Sequence, residues 1–162
     1  MMNKTKAIVP GSFDPITLGH LDIIKRAAAV FDTVYVMAFV NPNKRQRFTI
    51  EQKLAMMRAV CEPLDNVHCG YDGGMLADYC RDHGINVIVK GLRNAADYEY
   101  EAEMAEFNRR RNPTLDTMLL QAETGLTEIS SSAVFERLVM GMSVDEMVPS
   151  EILPLLSEYM KH

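Results

Sequence analysis

The sequence predicts an α/β protein: a Rossmann-like, doubly wound, five-stranded parallel sheet with helices on both faces and further helices at the C-terminal end. Three observations predict it. Short runs rich in β-branched and aromatic residues recur along the chain, at Ala7–Val9, Thr33–Phe39 and Asn86–Lys90. Between them lie stretches whose apolar residues repeat at helical spacing. Strand and helix alternate, which is the pattern of right-handed crossovers between parallel strands. No internal repeat or linker interrupts the pattern. The 162 residues, 48% hydrophobic and 24% charged, suit one domain spanning residues 1–162 with a substantial core.

Ala7-Ile8-Val9 has the character of a strand buried on both faces. Pro10 to Thr17 holds two prolines, a glycine and an aspartate, and reads as a sharply turned loop. Beyond Thr17, the residues Leu21, Ile24, Ala28 and Phe31 share one helical face, with Ile23, Ala27 and Val30 beside it. Thr33–Phe39 reads as the second strand, and Val40–Phe48 as a polar, basic loop. The next helix opens on a capping box, Thr49 with Gln52, carries the stripe Ile50, Leu54, Met57 and Cys61, and ends before Pro63. Asn66–Gly70 is a short third strand and Tyr71–Gly74 a loop. A helix over Met75–His83 is stopped by Gly84 as a left-handed cap. Asn86–Lys90 is the clearest buried strand. Gly91–Asn94 reads as a loop, about Ala96 to Asn108 as a polar helix, and Asp116–Gln121 as the fifth strand. Gly125–Ser132 is a loop. Two helices follow, about Ser132–Met140 and Pro149–Lys161, with a helical turn near Val144–Met147.

Composition excludes several classes. No apolar run approaches the roughly 18 residues that span a membrane. Met-Met-Asn-Lys-Thr-Lys runs directly into the first strand, so no secretory leader is expected. Cys61, Cys69 and Cys80 are odd in number and form no C-x-x-C pair, which points to reduced thiols and a cytoplasmic setting rather than a disulfide frame or a zinc site. The four histidines, at 20, 68, 83 and 162, are too scattered for a metal cluster. A net charge of −5 argues against nucleic acid as a partner, so any anion site must be a local basic patch. Neither G-x-G-x-x-G nor the P-loop pattern is present.

In a doubly wound sheet, ligands bind beyond the carboxyl ends of the strands, where the strand order switches. The first such loop carries Gly11-Ser12-Phe13-Asp14-Pro15 followed by Thr17-Leu18-Gly19-His20. Gly19 has no Cβ, so a flat ligand can lie against the backbone there. His20 falls in the first helical turn, where its ring can donate to an anion at the positive helix end. Lys44, Lys90 and Arg93 sit at or just after strand ends and would converge on the same rim. Ile129-Ser130-Ser131-Ser132 offers hydroxyls and free N–H groups at a helix start, suited to phosphate and equally suited to capping.

These motifs resemble those of nucleotidyltransferases with an H-x-G-H or T-x-G-H signature, and more closely the phosphopantetheine adenylyltransferase family, over about Ile8 to Ser132. The resemblance implies transfer of AMP from ATP to 4′-phosphopantetheine, giving dephospho-coenzyme A and pyrophosphate in coenzyme A biosynthesis. It implies that Ser12 binds both substrates' phosphates, that Lys44 and Lys90 grip the acceptor phosphate, and that Leu76 lines the pantetheine arm. His20, with Ser12 and Lys44, would act at the transferred phosphate. An ATP site is implied at Ser12, Phe13, His20, Gly91, Leu92, Arg93, Glu101, Leu126, Thr127, Glu128, Ile129, Ser130, Ser131 and Ser132. Glu101 ends Asp97-Tyr98-Glu99-Tyr100-Glu101, similar to the family's D-[FY]-E-Y-E, and Asn108-Arg109 matches the start of its N-R segment. Mg²⁺ is expected, held through ATP phosphates, with no protein metal ligands. A homohexamer and feedback inhibition by coenzyme A are family expectations, with no nucleic acid or membrane partner.

The sequence departs from that pattern in places. Lys90 stands where many members have arginine, keeping the charge and losing the bidentate fork. Thr127-Glu128 replaces an aromatic-bearing segment, and Phe135 replaces a basic residue. Arg109-Arg110-Arg111 is either compensating charge or a solvated turn. Two alternatives accompany the main reading: a related transferase acting on nicotinamide mononucleotide, or with CTP on a small alcohol phosphate, and a nucleotide sensor that binds ATP without releasing pyrophosphate.

Overall fold

A computed structural model describes residues 4–161. Met1 to Asn3 and His162, which entered the readings on a leader and on metal ligands, lie outside the described residues. The elements in order are β1 (Lys6–Gly11), α1 (Leu18–Val30), β2 (Thr33–Phe39), α2 (Ile50–Cys61), β3 (Val67–Asp72), α3 (Leu76–His83), β4 (Val87–Leu92), α4 (Ala95–Arg111), β5 (Asp116–Gln121), α5 (Ser131–Val139), a 3₁₀ turn (Ser150–Ile152) and α6 (Leu153–Tyr159). Every strand pairing is parallel, and the order across the sheet is β3-β2-β1-β4-β5. This is the doubly wound α/β fold the sequence predicts.

Strand alternation builds two cores. Ala7, Val9, Val34, Val36, Ala38 and Val89 face one side and pack against Ile24 and Ala27 of α1, Met56, Met57 and Val60 of α2, and Val134, Ile152 and Leu156 of the C-terminal helices. Ile8, Met37 and Ile88 face the other and pack against Ala77 and Cys80 of α3, with Ile85 and Leu115. Both helix termini inferred from capping signals stand as read. Thr49 and Gln52 exchange both bonds of the capping box, and Gly84 caps α3 at φ 66°.

Several boundaries differ from the sequence reading; α4, for one, runs on to Arg111 rather than ending near Asn108. Pro10 and Gly11 extend β1, Tyr71 and Asp72 extend β3, and Gly91 and Leu92 extend β4. In each case neighbouring strands continue the pairing, as in Pro10 with Met37, Asp72 with Phe39 and Leu92 with Gln121. Pairing overrides local turn preference. At the C-terminus the helix read from Pro149 splits into the 3₁₀ turn and α6, because Pro154 in the first turn of α6 lacks the N–H that would continue a helix through it.

The chain runs outward from β1 to β3, then crosses back to β4 and β5. The switch in direction therefore falls between β1 and β4. Their pairing consists of Ala7 with Val87 and Ile8 with Ile88 and then stops, while β1 continues to Gly11 and β4 to Leu92. The strands part at their carboxyl ends, and α1 closes over the gap. Gly91 permits that closeness: a Cβ there would lie 3.0 Å from Cγ1 and 3.2 Å from Cδ1 of Ile23 on α1. Gly91→Val would drive side-chain atoms into Ile23 and lift α1 from β4. The expected cost is about 1–3 kcal/mol, read as a lowered midpoint in urea denaturation; an unchanged midpoint would refute this packing role.

Candidate active site

A cleft of about 760 Å³ opens where β1 and β4 separate. Ser12, His20, Lys44, Lys90, Gly91, Arg93, Glu101, Leu126, Ile129 and Ser130 to Ser132 all line it. Five cations, Lys44, Arg45, Arg47, Lys90 and Arg93, face three carboxylates, Asp14, Asp97 and Glu101. The cleft is thus locally positive in a chain of net charge −5.

The turn after β1 fixes the geometry. Phe13 sits at φ 46°, a left-handed conformation that costs a non-glycine residue energy, and its ring is buried against His20, with centroids 4.9 Å apart. Thr17 caps α1: its hydroxyl accepts from the His20 N–H at 3.3 Å, and its own N–H donates to His20 Nδ1 at 2.9 Å. A donor pointing at Nδ1 makes that nitrogen the acceptor, so the neutral ring carries its proton on Nε2. Enclosure of the ring, then the charges of Lys90 and Arg93, hold the imidazole pKa down at about 4. Near neutral pH, His20 is an uncharged hydrogen-bond donor.

The opposite wall is built from β4 and α4. Lys90 pairs with Glu101 at 3.3 Å, both side chains mostly buried. Arg93 pairs with Asp97 at 3.4 Å, and the backbone N–H of Arg93 donates to the same carboxylate at 2.9 Å. Asn94 caps α4 by accepting from Asp97 N–H at 3.0 Å. Asp97 and Glu101 are four residues apart and so share the helical face turned to the cleft.

The roof is the start of α5. The Ser130 hydroxyl caps the helix by accepting from Ala133 N–H at 3.1 Å. Ser131 Oγ donates to the Pro15 carbonyl at 2.7 Å, and Ser132 Oγ accepts from Arg47 at 2.8 Å. The serines therefore serve as cap and as cross-links to the β1–α1 turn and the 40–48 loop, and they face the cleft as well.

Other sequence-selected residues lie elsewhere. Phe13 is buried behind His20. Leu92 ends β4 without lining the cleft, and Thr127 and Glu128 are exposed outside it. Leu76 lines an adjoining cavity of about 280 Å³ with Phe39, Val40, Met75 and Met104. The two spaces meet at Pro10, Gly11, Asn41, Lys90 and Glu101. Arg109, Arg110 and Arg111 form the last turn of α4 and pair with Asp116, Glu106 and Asp78, away from the cleft.

Sequence reasoning missed Asp14, Arg47 and Lys53. Asp14 is buried; its Oδ2 accepts from Arg47 N–H at 2.9 Å and its Oδ1 from Phe48 N–H at 3.0 Å. Lys53, also buried, lies 4.0 Å from Asp14 and donates to Gln46. A lysine three residues after Ile50, in the apolar stripe of α2, was the available signal. Among the described residues, no group of three His, Cys, Asp or Glu side chains could hold a metal ion, and the cleft carboxylates are each engaged by a cation or by backbone N–H groups.

The His20 ring should titrate with a midpoint near pH 4 in NMR of the folded protein, well below the 6.5 of an unperturbed histidine. Because the unfolded chain takes up that proton first, this group's contribution to stability is complete above about pH 6.5. It is lost as pH falls toward 4. A midpoint at or above 6.5 would contradict the neutral-donor assignment.

Comparison with known proteins agrees with this architecture. The cytidylyltransferase-like family profile matches residues 8–158. The phosphopantetheine adenylyltransferase of Clostridium novyi is 42% identical over 147 residues, covering 91% of each chain. That of Thermotoga neapolitana is 42% identical over 155 residues, 96% of each chain. That of Staphylococcus carnosus is 37% identical over 157 residues, 97% of this chain and 98% of the relative. With its parallel 3-2-1-4-5 sheet and a basic cleft at the strand switch, this chain belongs to the phosphopantetheine adenylyltransferase family of nucleotidyltransferases.

Proposed function

We propose that this chain transfers AMP from ATP to 4′-phosphopantetheine, releasing pyrophosphate and forming dephospho-coenzyme A, by direct in-line displacement. The observation that carries the reading is the junction of two unlike spaces at Lys90 and Glu101. The larger is polar and basic, suited to a triphosphate and an acceptor phosphate. The smaller is bordered by Phe39, Met75, Leu76 and Met104 and suits the arm of a phosphopantetheine.

In the proposed reaction an oxygen of the acceptor phosphate forms a bond to the α-phosphorus of ATP as the bond to the β-phosphate oxygen breaks. The electron pair leaves on pyrophosphate. A phosphate monoester with a second pKa near about 6 is mostly a dianion at neutral pH, so no general base is required. The protein's task is to hold two polyanions together and to stabilise charge on the α-phosphate. Lys44 and Lys90 hold the acceptor. Nε2–H of His20, with Ser12, donates to the α-phosphate oxygens. Arg93 and the start of α5 hold the pyrophosphate side, with Gly91, Leu126 and Ile129 bordering the nucleotide. The engaged carboxylates of the cleft fit an ion carried in by the nucleotide rather than one caged by the protein; Mg²⁺ bound with ATP would supply neutralisation of phosphate charge.

Assembly is part of the same proposal. Tyr98, Tyr100, Met104 and Phe107 of α4 are exposed large side chains on one helix, which supports self-association into the homohexamer the family suggests. Coenzyme A, sharing the phosphopantetheine arm, is the expected feedback inhibitor. Three free cysteines support a reducing, cytoplasmic setting, and no helix among the described residues is long and apolar enough to cross a membrane.

Pyrophosphate release from ATP or CTP with Mg²⁺, measured with 4′-phosphopantetheine, nicotinamide mononucleotide and glycerol 3-phosphate as separate acceptors, tests the reading. Release confined to ATP with phosphopantetheine is expected; release with another acceptor overturns the substrate, and none from any pair overturns the reaction. His20→Ala should lower kcat by about 10²–10³-fold while ATP affinity changes little. Near-normal turnover would remove His20 from the mechanism.

A further inference from the structure

Arg47 has no assigned role, yet it projects into the cleft between the 40–48 loop and the start of α5. Its Nη1 donates to the Asp14 carbonyl at 3.0 Å and its Nη2 to Ser132 Oγ at 2.8 Å. Its Cζ lies 5.4 Å from the ring centre of Phe135. Phe135 is itself held edge-on by Phe48, with centroids 6.1 Å apart. Both hydrogen-bond acceptors are neutral, and among the described residues Arg47 has no carboxylate within ion-pair distance. The other cleft arginine that reaches α5's approach, Arg93, is neutralised by Asp97.

Three features make this more than a structural clasp. A guanidinium carries five N–H donors in one plane, and two contacts leave donors free. Stacking on an aromatic face covers the flat side and leaves the in-plane edge open for a bidentate anion. The charge also sits against the positive end of α5, an arrangement that is unfavourable until an anion lies between them. Ser132 accepts from Arg47, so its own hydroxyl proton is free to point at the same anion.

We propose that Arg47 is a further substrate-binding residue, gripping the β,γ-phosphates of ATP together with Ser132 and the first turn of α5. The inference rests on the ATP-dependent reading above, and it deepens it by assigning the terminal phosphates to the 40–48 loop. That loop also carries Lys44, so one segment would hold the acceptor phosphate near one end and the leaving pyrophosphate near the other.

The test compares ATP and AMP binding by calorimetry in the wild type, in Arg47→Met, and in Arg47→Met combined with Phe135→Lys, which supplies a cation from beneath the same position. Arg47→Met is expected to weaken ATP about 10- to 100-fold and to leave AMP within twofold, since AMP lacks the phosphates concerned. The double variant is expected to regain much of the ATP affinity. Parallel loss of ATP and AMP affinity would show a merely structural clasp and overturn the proposal, as would unchanged ATP binding or a double variant that regains nothing. Binding rather than turnover is the readout. A wild type that binds ATP but releases no pyrophosphate would overturn the proposed reaction alone, and the ratio of ATP to AMP affinity would still decide the role of Arg47.

Discussion

The cleft depends on one buried carboxylate. Asp14 is almost fully enclosed at the tip of the β1–α1 turn, and its two oxygens accept the N–H groups of Arg47 and Phe48 while the Lys53 ammonium lies 4.0 Å away. Through these contacts a loop from the far side of β2 is fastened to the turn that carries Ser12 and His20. Removing one partner from such a buried set leaves the others unpaired, at a cost of about 3–5 kcal/mol. Burial lowers the pKa of Lys53, and Asp14 opposes that shift. The same loop is also held by its own turn bonds, such as Lys44 N–H to the Asn41 carbonyl, and by the bond from Arg47 to Ser132.

The second constraint is charge. The protein is acidic overall, and its cations in the cleft are of two kinds. Lys90 and Arg93 are paired with Glu101 and Asp97, which holds their side chains in place and tempers their field. Lys44, Arg45 and Arg47 have no such carboxylate partner among the described residues. His20 between these groups is kept neutral by enclosure and by Lys90 and Arg93. It can thus donate a hydrogen bond to developing negative charge without adding a full positive charge to the ground state. In the proposed reaction, these residues contribute placement of charge rather than a nucleophile or a base.

Much of this was legible in the sequence. The strand–turn–helix around His20 announced itself through two prolines, a glycine, an aspartate and the helical spacing after Thr17, and the structure adds the Thr17 cap. The Thr49–Gln52 box and Gly84 were local signals with local consequences, and they transferred directly. What local chemistry could not carry was pairing between distant segments. Gly91 and Leu92 read as a loop because glycine and the following arginine suggest one, but β5 holds them in register as strand. Asp14 was visible as a letter in G-S-F-D-P, while its partners lie more than thirty positions away and only the fold brings them together. Arg47 read as one more charge in a basic loop. Its stacking on Phe135 and its bond to Ser132 arise from the docking of α5, which no spacing rule describes.

The central claim is that the two substrates react directly in a site that positions them, with no adenylylated protein between. The stereochemical course at the α-phosphorus tests this most directly, using ATP made chiral there with sulfur in place of one oxygen. A single in-line displacement predicts inversion in the dephospho-coenzyme A product. Net retention would require a second displacement through an enzyme-bound AMP and would contradict the account.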